Sequence, residues 1–427
     1  VGNDVNTNDK INTPYKVSIN GSDSNVWGIG AGGANTSAIL NDGYVWTWGA
    51  SDKGQIGDGT AGQSTGSPTN RLVPSKTGED YITLDEYFVT LRPGDTANIN
   101  PVYNKFFNVK ENIDDSVVFT ADSLNASVAS VSGMTISPVA TGKTEVVITG
   151  NGKQATVKVI VLEDGYKTLP QVGSGEGFTV ALDKDGTVWT WGRNDFGQLG
   201  DGSTEKRIVP MDIAFDFTGS EYITRIETGN SHTIALDSTG KVWAWGYGGL
   251  GQLGTGTANN SQTPVKISLP DDVEAVDIAV GETTSYALDN VGRVYAWGNI
   301  KPGTGYGLKP IKLDLFERMI EVSGKYGLKA DGTIWQIPNV NGSSVIIKKD
   351  TKDVRFVRIA SDDHISSGAA DDADTTHTLL ISRDGELYVF GDNKHGELGL
   401  GEAFDTVGDN NIHKIDSLSD IVDIAAG

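Results

Sequence analysis

Cysteine is absent from all 427 residues, which excludes a disulfide framework, a thiolate metal site and a cysteine nucleophile. Basic residues are scarce: 34 Lys and Arg stand against 56 Asp and Glu, for a net charge of −22. Such a chain is poorly suited to nucleic acid or anionic lipid, because counterion release needs a basic surface. It suits an exposed, soluble protein whose partners are basic or neutral. No apolar run approaches the roughly 18 residues needed to cross a bilayer. The five histidines, His232, His364, His377, His395 and His413, do not fall at metal-ligand spacing. The chain opens on Val1 with no secretory leader, as a processed protein or a piece of a longer one would.

What the sequence has in abundance is an echo. A glycine turn followed by a short aromatic strand occurs six times, most cleanly as Asp185-Gly186-Thr187-Val188-Trp189-Thr190-Trp191-Gly192 and Thr239-Gly240-Lys241-Val242-Trp243-Ala244-Trp245-Gly246. The turn glycines are Gly43, Gly186, Gly240, Gly292, Gly332 and Gly385, at steps of 143, 54, 52, 40 and 53 residues. A period near fifty means a propeller or a solenoid rather than an ordinary single-core domain. In the cleanest copy Ile223-Thr224-Arg225-Ile226-Glu227-Thr228, His232-Thr233-Ile234-Ala235-Leu236, Val242-Trp243-Ala244-Trp245 and Thr263-Pro264-Val265-Lys266-Ile267 read as four strands. The middle two are apolar on nearly every residue, the mark of a sheet covered on both faces. Long 3.6-period segments are missing, so a helical solenoid is excluded.

The Ala-Leu-Asp-x-x-Gly-x-Val-Trp-x-Trp-Gly core is followed by Gly197-Gln198-Leu199-Gly200 and Gly251-Gln252-Leu253-Gly254, with near copies at Gly54-Gln55-Ile56-Gly57 and Gly396-Glu397-Leu398-Gly399. On these residues the repeat resembles the regulator-of-chromosome-condensation family of seven-bladed propellers, over roughly residues 1–78 and 165–427. That resemblance implies a binding scaffold. Its members include a nucleotide-exchange factor and a bacterial inhibitor of β-lactamase, so the fold leaves the function open.

The first step is too long by about 90 residues. Tyr81-Ile82-Thr83-Leu84, Thr96-Ala97-Asn98-Ile99, Ser116-Val117-Val118-Phe119, Val128-Ala129-Ser130-Val131, Thr144-Glu145-Val146-Val147-Ile148 and residues 155–161 read as six short strands at sandwich spacing. The segments Leu91-Arg92-Pro93-Gly94-Asp95-Thr96, Ala126-Ser127-Val128-Ala129-Ser130-Val131 and Ala140-Thr141-Gly142-Lys143-Thr144 make this stretch similar to a bacterial immunoglobulin-like domain of group 2, with Phe119 in place of its usual tryptophan. The expected organisation is an all-β chain: a six- to seven-bladed β-propeller in residues 1–78 and 165–427, interrupted by an immunoglobulin-like β-sandwich in residues 79–164. Residues 421–427 read as the first strand of a further repeat, and residues 13–17 as the last strand of one. Either the chain is a fragment of a larger surface protein, or the two tails close the ring in a shortened blade.

Catalytic signals fail on context. Gly28-Ile29-Gly30-Ala31-Gly32-Gly33 fits the dinucleotide fingerprint but leads into a hairpin rather than a helix, so no helix N-terminus awaits a pyrophosphate. Gly62-Gln63-Ser64-Thr65-Gly66 lacks the strand-to-helix turn of a nucleophile elbow. Gly142-Lys143-Thr144 lacks the upstream glycine of a phosphate loop. His232 and His377 head the second strand of their copies, where a structural hydrogen bond within the blade is expected. The paired tryptophans recur at fixed blade positions, which argues for packing over sugar stacking.

Candidate contact residues lie where the repeat breaks its own rule. They are Trp27, outside the pattern; Tyr306, where the Gly-Gln-Leu-Gly loop is lost; and Asp362, Asp363, His364, Asp371, Asp372 and Asp374 in an insert preceding His377. The clustered carboxylates read as a plain solvated surface excursion, with a calcium site at Asp371, Asp372 and Asp374 as the alternative, although the spacing is not that of an EF-hand; no other cofactor is expected. The sequence therefore points to a non-enzymatic binding module of a bacterial secreted or cell-surface protein, its loops meeting a protein or glycan. An inhibitor like the β-lactamase-binding propeller is the alternative, and a hydrolase hosted on the propeller is the third reading. Neither a nucleic-acid partner nor membrane insertion is expected.

Overall fold

In the computed structural model the described residues are 26–31, 35–40, 45–49, 71–76, 80–105, 113–270, 273–300, 307–313, 317–337, 347–348, 354–361, 377–393, 396–401, 409–418, 421 and 423–426. Among them there is no α-helix, and no helix long and apolar enough to cross a membrane. The chain divides into two compact units: residues 1–84, 100–120 and 149–155, and residues 85–99, 121–148 and 156–427.

The first unit holds a four-stranded antiparallel meander of β1 (Val26–Ala31), β2 (Asn35–Leu40), β3 (Val45–Gly49) and β4 (Arg71–Lys76). It also holds β5 (Tyr81–Thr83), paired with β8 (Val102–Asn104). The intervening sequence supplies β6 (Phe88–Leu91), β7 (Ala97–Asn98), β9 (Thr120–Ser123), β10 (Ala129–Ser132), β11 (Thr135–Pro138), β12 (Gly142–Gly150) and β13 (Lys153–Val161). These form one sheet in the order β6-β13-β12-β9 and another in the order β10-β11-β7. Among the described residues nine strands thus stand where six are expected. Ser116-Val117-Val118-Phe119 is not one of them, because Asp114 accepts the Ser116 N–H and hydroxyl and turns the chain there. Phe119 instead lies against Gly150, where a Cβ would collide with its ring.

The second unit repeats the meander five times. Its sheets are β14 (Gln171–Gly175) to β17 (Arg207–Asp212) through β15 (Phe178–Leu182) and β16 (Val188–Gly192); and β18 (Ile223–Thr228), β19 (His232–Asp237), β20 (Val242–Gly246) and β21 (Ser261–Ile267). Next come β22 (Ala275–Val280), β23 (Thr284–Asp289), β24 (Val294–Gly298) and β25 (Gly307–Lys312), then β26 (Met319–Ser323), β27 (Tyr326–Lys329), β28 (Ile334–Gln336) and β29 (Ile347–Lys348). The last is β30 (Phe356–Ser361), β31 (His377–Ser382), β32 (Leu387–Gly391) and β33 (Asp409–Lys414). Neighbouring sheets meet through their first strands, β14 on β18, β18 on β22, β22 on β26 and β26 on β30. This is the blade organisation of a β-propeller.

Three local devices explain why the repeat folds this way. In the first, the aspartate ending the second strand organises the hairpin. Asp237 Oδ1 accepts the N–H groups of Thr239 (2.8 Å) and Lys241 (3.1 Å), while Oδ2 accepts the Trp243 indole N–H at 2.9 Å. Asp183 and Asp289 do the same, the latter with Tyr295 in place of tryptophan. Burial alone would raise the Asp183 carboxyl, but these donors outweigh it and hold the group below its ordinary range.

The second device is the hand-over to the next blade. The N–H groups of Ala275, Met319 and Phe356 donate to the carbonyls of Gly240, Gly292 and Gly332 at 2.8, 3.0 and 3.0 Å. Gly240 sits at φ +74°, and a Cβ there would come 2.7 Å from that of Glu274, so only glycine fits. Ile421 repeats the bond to Gly385 at 3.0 Å. Residues 421 and 423–426 nevertheless form no strand, against the sequence expectation. They enter where an inner strand belongs and pair with no second strand among the described residues. Residues 13–17 lie outside the described residues.

The third device joins loop to indole. Gln198 and Gln252, in the two Gly-Gln-Leu-Gly loops, present their main-chain carbonyls to the indole N–H of Trp245 (3.0 Å) and Trp297 (2.8 Å) in the following sheet. The loop-closing Gly200 and Gly254 lie so close that a Cβ would stand 2.9 Å from the same indoles. The second and third strands of the β18–β21 and β22–β25 sheets are buried at every residue, as expected for sheets covered on both faces. In the β14–β17 sheet Phe178, Val180 and Leu182 are buried against Ile223, Ala235 and Trp245, while Trp189 and Trp191 stay half-buried.

Candidate functional site

Four of the inner strands carry a charged residue at the same register position. These are Arg225, Asp277, Glu321 and Arg358, opposite Leu236, Leu288, Leu328 and Ile381 after a one-residue shift in pairing. Gln171 occupies the corresponding place in β14. The shift is a β-bulge, which re-aims a side chain out of the ladder. Here it turns the charged groups toward one another and toward the β12–β13 hairpin.

An ionic lattice results. Lys158 of β13 places its ammonium 2.9 Å from Glu321 and 3.5 Å from Glu145 of β12. Arg358 Nε lies 3.0 Å from Glu145, not aimed for a hydrogen bond, and its Nη1 is 3.8 Å from Glu321. Arg225 spans Asp277 at 2.6 Å and Glu227 at 3.0 Å. The Ile359 N–H adds a second hydrogen-bond donor to Glu321 at 3.2 Å, beside Lys158.

The protonation equilibria follow from the pairing. Burial would raise Glu321, but Lys158 and then Arg358 draw it below the usual carboxylate range. Burial raises Asp277, and Arg225 offsets only part of that. Lys143 of β12 is exposed by surface area yet crowded by protein. That surrounding mass, and then Arg225 and Arg358, push its ammonium below the ordinary lysine range.

The lattice forms part of the wall of a cavity of about 450 Å³, whose lining includes Arg92, Lys143, Lys167, Gln171, Thr224 and Ser238. That volume falls within the roughly 300–1,000 Å³ of small-molecule sites.

His232 also acts between blades rather than within one. Its Nε2–H donates to Ser285 Oγ at 3.0 Å, and Ser285 in turn donates to the Gln252 carbonyl at 2.8 Å. Its Nδ1 has no hydrogen-bond partner. Complete burial pushes the imidazole down to about 4. The neutral ring therefore contributes stability that is full above the unfolded value near 6.5 and is lost as pH falls through that value toward 4. We expect a loss on the order of 3 kcal/mol across that window. A carbon-13 imidazole titration should find His232 still neutral at pH 5; protonation near pH 6.5 would refute the assignment.

The sequence-proposed contacts are not brought together among the described residues. The Trp27 backbone lies in β1 at the pairing irregularity between Val26 and Gly28, and its side chain is outside the described residues. Tyr306, Asp362, Asp363, His364, Asp371, Asp372 and Asp374 all lie outside them as well. Within the described residues no group of three or more His, Asp or Glu side chains could hold a metal ion. The residues that sequence reading missed are Lys143, Glu145, Lys158, Arg225, Asp277, Glu321 and Arg358. A charged residue at one fixed place in four successive inner strands was the available signal.

Comparison with known proteins agrees with the repeat. The profile of the regulator of chromosome condensation (RCC1) repeat matches residues 185–236 and 239–288, and a second RCC1 profile matches 171–198 and 223–252. The chain is 35% identical to E3 ubiquitin-protein ligase HERC2 of Homo sapiens over 31% of its length and 3% of that protein's. It is 38% identical to the mitochondrial RCC1 domain-containing protein RUG3 of Arabidopsis thaliana over 36% of this chain and 33% of RUG3. With the ultraviolet-B receptor UVR8 of the same plant it shares 28% identity over 58% of each. The matches span less than two thirds of each of these relatives. Among solved structures, human WBSCR16 aligns over 96% of this chain and 87% of its own at 17% identity, with a TM-score of 0.49. Residues 171–288 thus carry RCC1 repeats.

Proposed function

We propose that this chain is a non-enzymatic binding module of a bacterial secreted or cell-surface protein, with residues 79–164 forming an inserted immunoglobulin-like domain of group 2. The observation that carries the reading is where the motif side chains are spent. Asp183, Asp237 and Asp289 hold hairpins, and Trp245, Trp297 and His232 hold one blade to the next. The recurring polar groups of the repeat serve the scaffold, so recognition falls to loops, which carry function on rigid frames of this kind. Similarity to the ultraviolet-B receptor UVR8 and the RCC1 domain-containing protein RUG3 supports the same reading, and the ubiquitin ligase HERC2 is matched over only 3% of its length.

The partner is a protein or glycan met by Trp27, Tyr306 and the insert before His377. The test replaces residues 362–376 with a short turn copied from Gly229-Asn230-Ser231. Binding of the labelled chain to bacterial cell surfaces and to a glycan array is then measured, alongside a hydrolase screen. Loss of binding with an unchanged thermal midpoint is the expected result. Undiminished binding, or turnover in the screen, would overturn the proposal.

A further inference from the structure

The cavity beside the inner strands has a charge its surroundings do not share. Six basic side chains line it, Arg92, Lys143, Lys158, Lys167, Arg225 and Arg358, against four acidic ones, Glu145, Asp237, Asp277 and Glu321. This is in a chain whose net charge is −22. The acids are already committed. Asp237 is held by its own hairpin and Trp243, Asp277 by Arg225, and Glu145 and Glu321 by Lys158 and Arg358. Three of the cations, by contrast, have no carboxylate partner among the described residues. The Arg92 Nη1–H groups donate to the neutral Tyr166 carbonyl at 2.7 Å, and the Lys167 ammonium lies 5.2 Å over the Tyr222 ring. Among the described residues Lys143 has neither kind of contact.

Like charges around a partly enclosed space repel more strongly than on an open surface, because the dielectric there is lower. Lys143 shows the strain, its ammonium being destabilised by enclosure and by the two guanidinium groups beside it. A compact anion is what would relieve it. Thr168, Thr224, Gln171 and Ser238 add hydroxyl and amide groups to the same wall, the usual complement of orienting contacts in a small-molecule site.

We propose that this cavity binds a small dianion of the dicarboxylate or phosphomonoester type, with Lys143 as its principal charged contact and Lys167 and Arg92 completing the basic wall. The site is independent of the loop surface assigned above, and either can fail without the other.

The test is calorimetric titration of the full chain at low ionic strength with malonate and, separately, with inorganic phosphate. One-to-one saturable binding is expected, weakened at least tenfold in Lys143→Met, which keeps length and loses charge. The control is Lys184→Met, a surface lysine paired with Asp185 at 3.0 Å, which should bind like the wild type. Preference for malonate assigns a carboxylate ligand, and preference for phosphate a phosphoryl one. Absence of saturable heat with both probes overturns the proposal. So does equal affinity in Lys143→Met, or an equal loss in Lys184→Met, since each means diffuse attraction to the surface. Thermal midpoints of the variants confirm that they remain folded.

Discussion

Glu321→Ala is expected to destabilise the protein by about 3–5 kcal/mol, the cost of breaking a buried ion pair while its partners remain. Glu321 is the anion shared by Lys158, Arg358 and the Ile359 N–H. Without it, two cations that are 13% and 16% exposed are left with Glu145 and, for Arg358, the exposed Asp423 at 3.9 Å. Thermal unfolding should show a clear drop in midpoint, and protection of the β12–β13 amides from hydrogen exchange should fall. The double variant Lys158→Met with Glu321→Leu removes both charges. It should recover most of the loss, because a buried ion pair replaced by packed apolar groups is often neutral. If the single variant matches the wild type, the lattice is not holding β12–β13 against the inner strands. The pH response is signed as well. The folded-state carboxyl of Glu321 lies below its ordinary value, so its contribution is present above the unfolded pKa and disappears as pH falls through the folded one. Glu321→Gln should flatten that acid limb.

Trp297→Ala is the second large effect, expected at about 3–5 kcal/mol for an aromatic removed from a packed core. The side chain is 0% exposed and packs with Leu253, Ile267 and Leu269 of the preceding sheet. The indole N–H also meets the Gln252 carbonyl at 2.8 Å. Trp297→Phe separates the two contributions: it keeps most of the packing and strands the carbonyl, at about 1–3 kcal/mol. Ser285 still donates to that oxygen, which places the expected value at the low end. A Phe variant as damaging as the Ala variant would show that the hydrogen bond, not the packing, dominates.

Much of the scaffold was legible in the letters, because its causes are local. The aspartate, the turn glycine and the first aromatic of each hairpin lie within six residues of one another, so their bonds leave a compact motif. Even the bond between Trp245 and Gln198 joins two recurring motifs. The inner-strand lattice was harder to read. Its position recurs but its identity does not, passing from arginine to aspartate to glutamate to arginine. Its partners Lys143, Glu145 and Lys158 belong to another sheet entirely, and their pairing depends on how two sheets dock rather than on spacing. The strand misassigned at residues 116–119 failed for a different reason. Its β-branched residues favour extension, but the Asp114 carboxylate captures the local amide and hydroxyl first.

The loop-to-indole contact also accounts for how the copies have decayed. Where an intact Gly-Gln-Leu-Gly precedes, the next copy keeps its second tryptophan, as at Trp245 and Trp297. After Gly298 that loop is replaced by Lys301-Pro302-Gly303-Thr304-Gly305-Tyr306-Gly307, and the following copy has Ile337 where the indole would be. No such loop follows Ile337-Pro338 either, and the next copy has Phe390, which packs edge-on against Tyr326 at 5.1 Å instead. An acceptor and its donor, housed in successive copies, have been lost in tandem. The inheritable piece of this protein is therefore the seam from one repeat to the next, and a transplanted blade would function only if carried with the loop ahead of it.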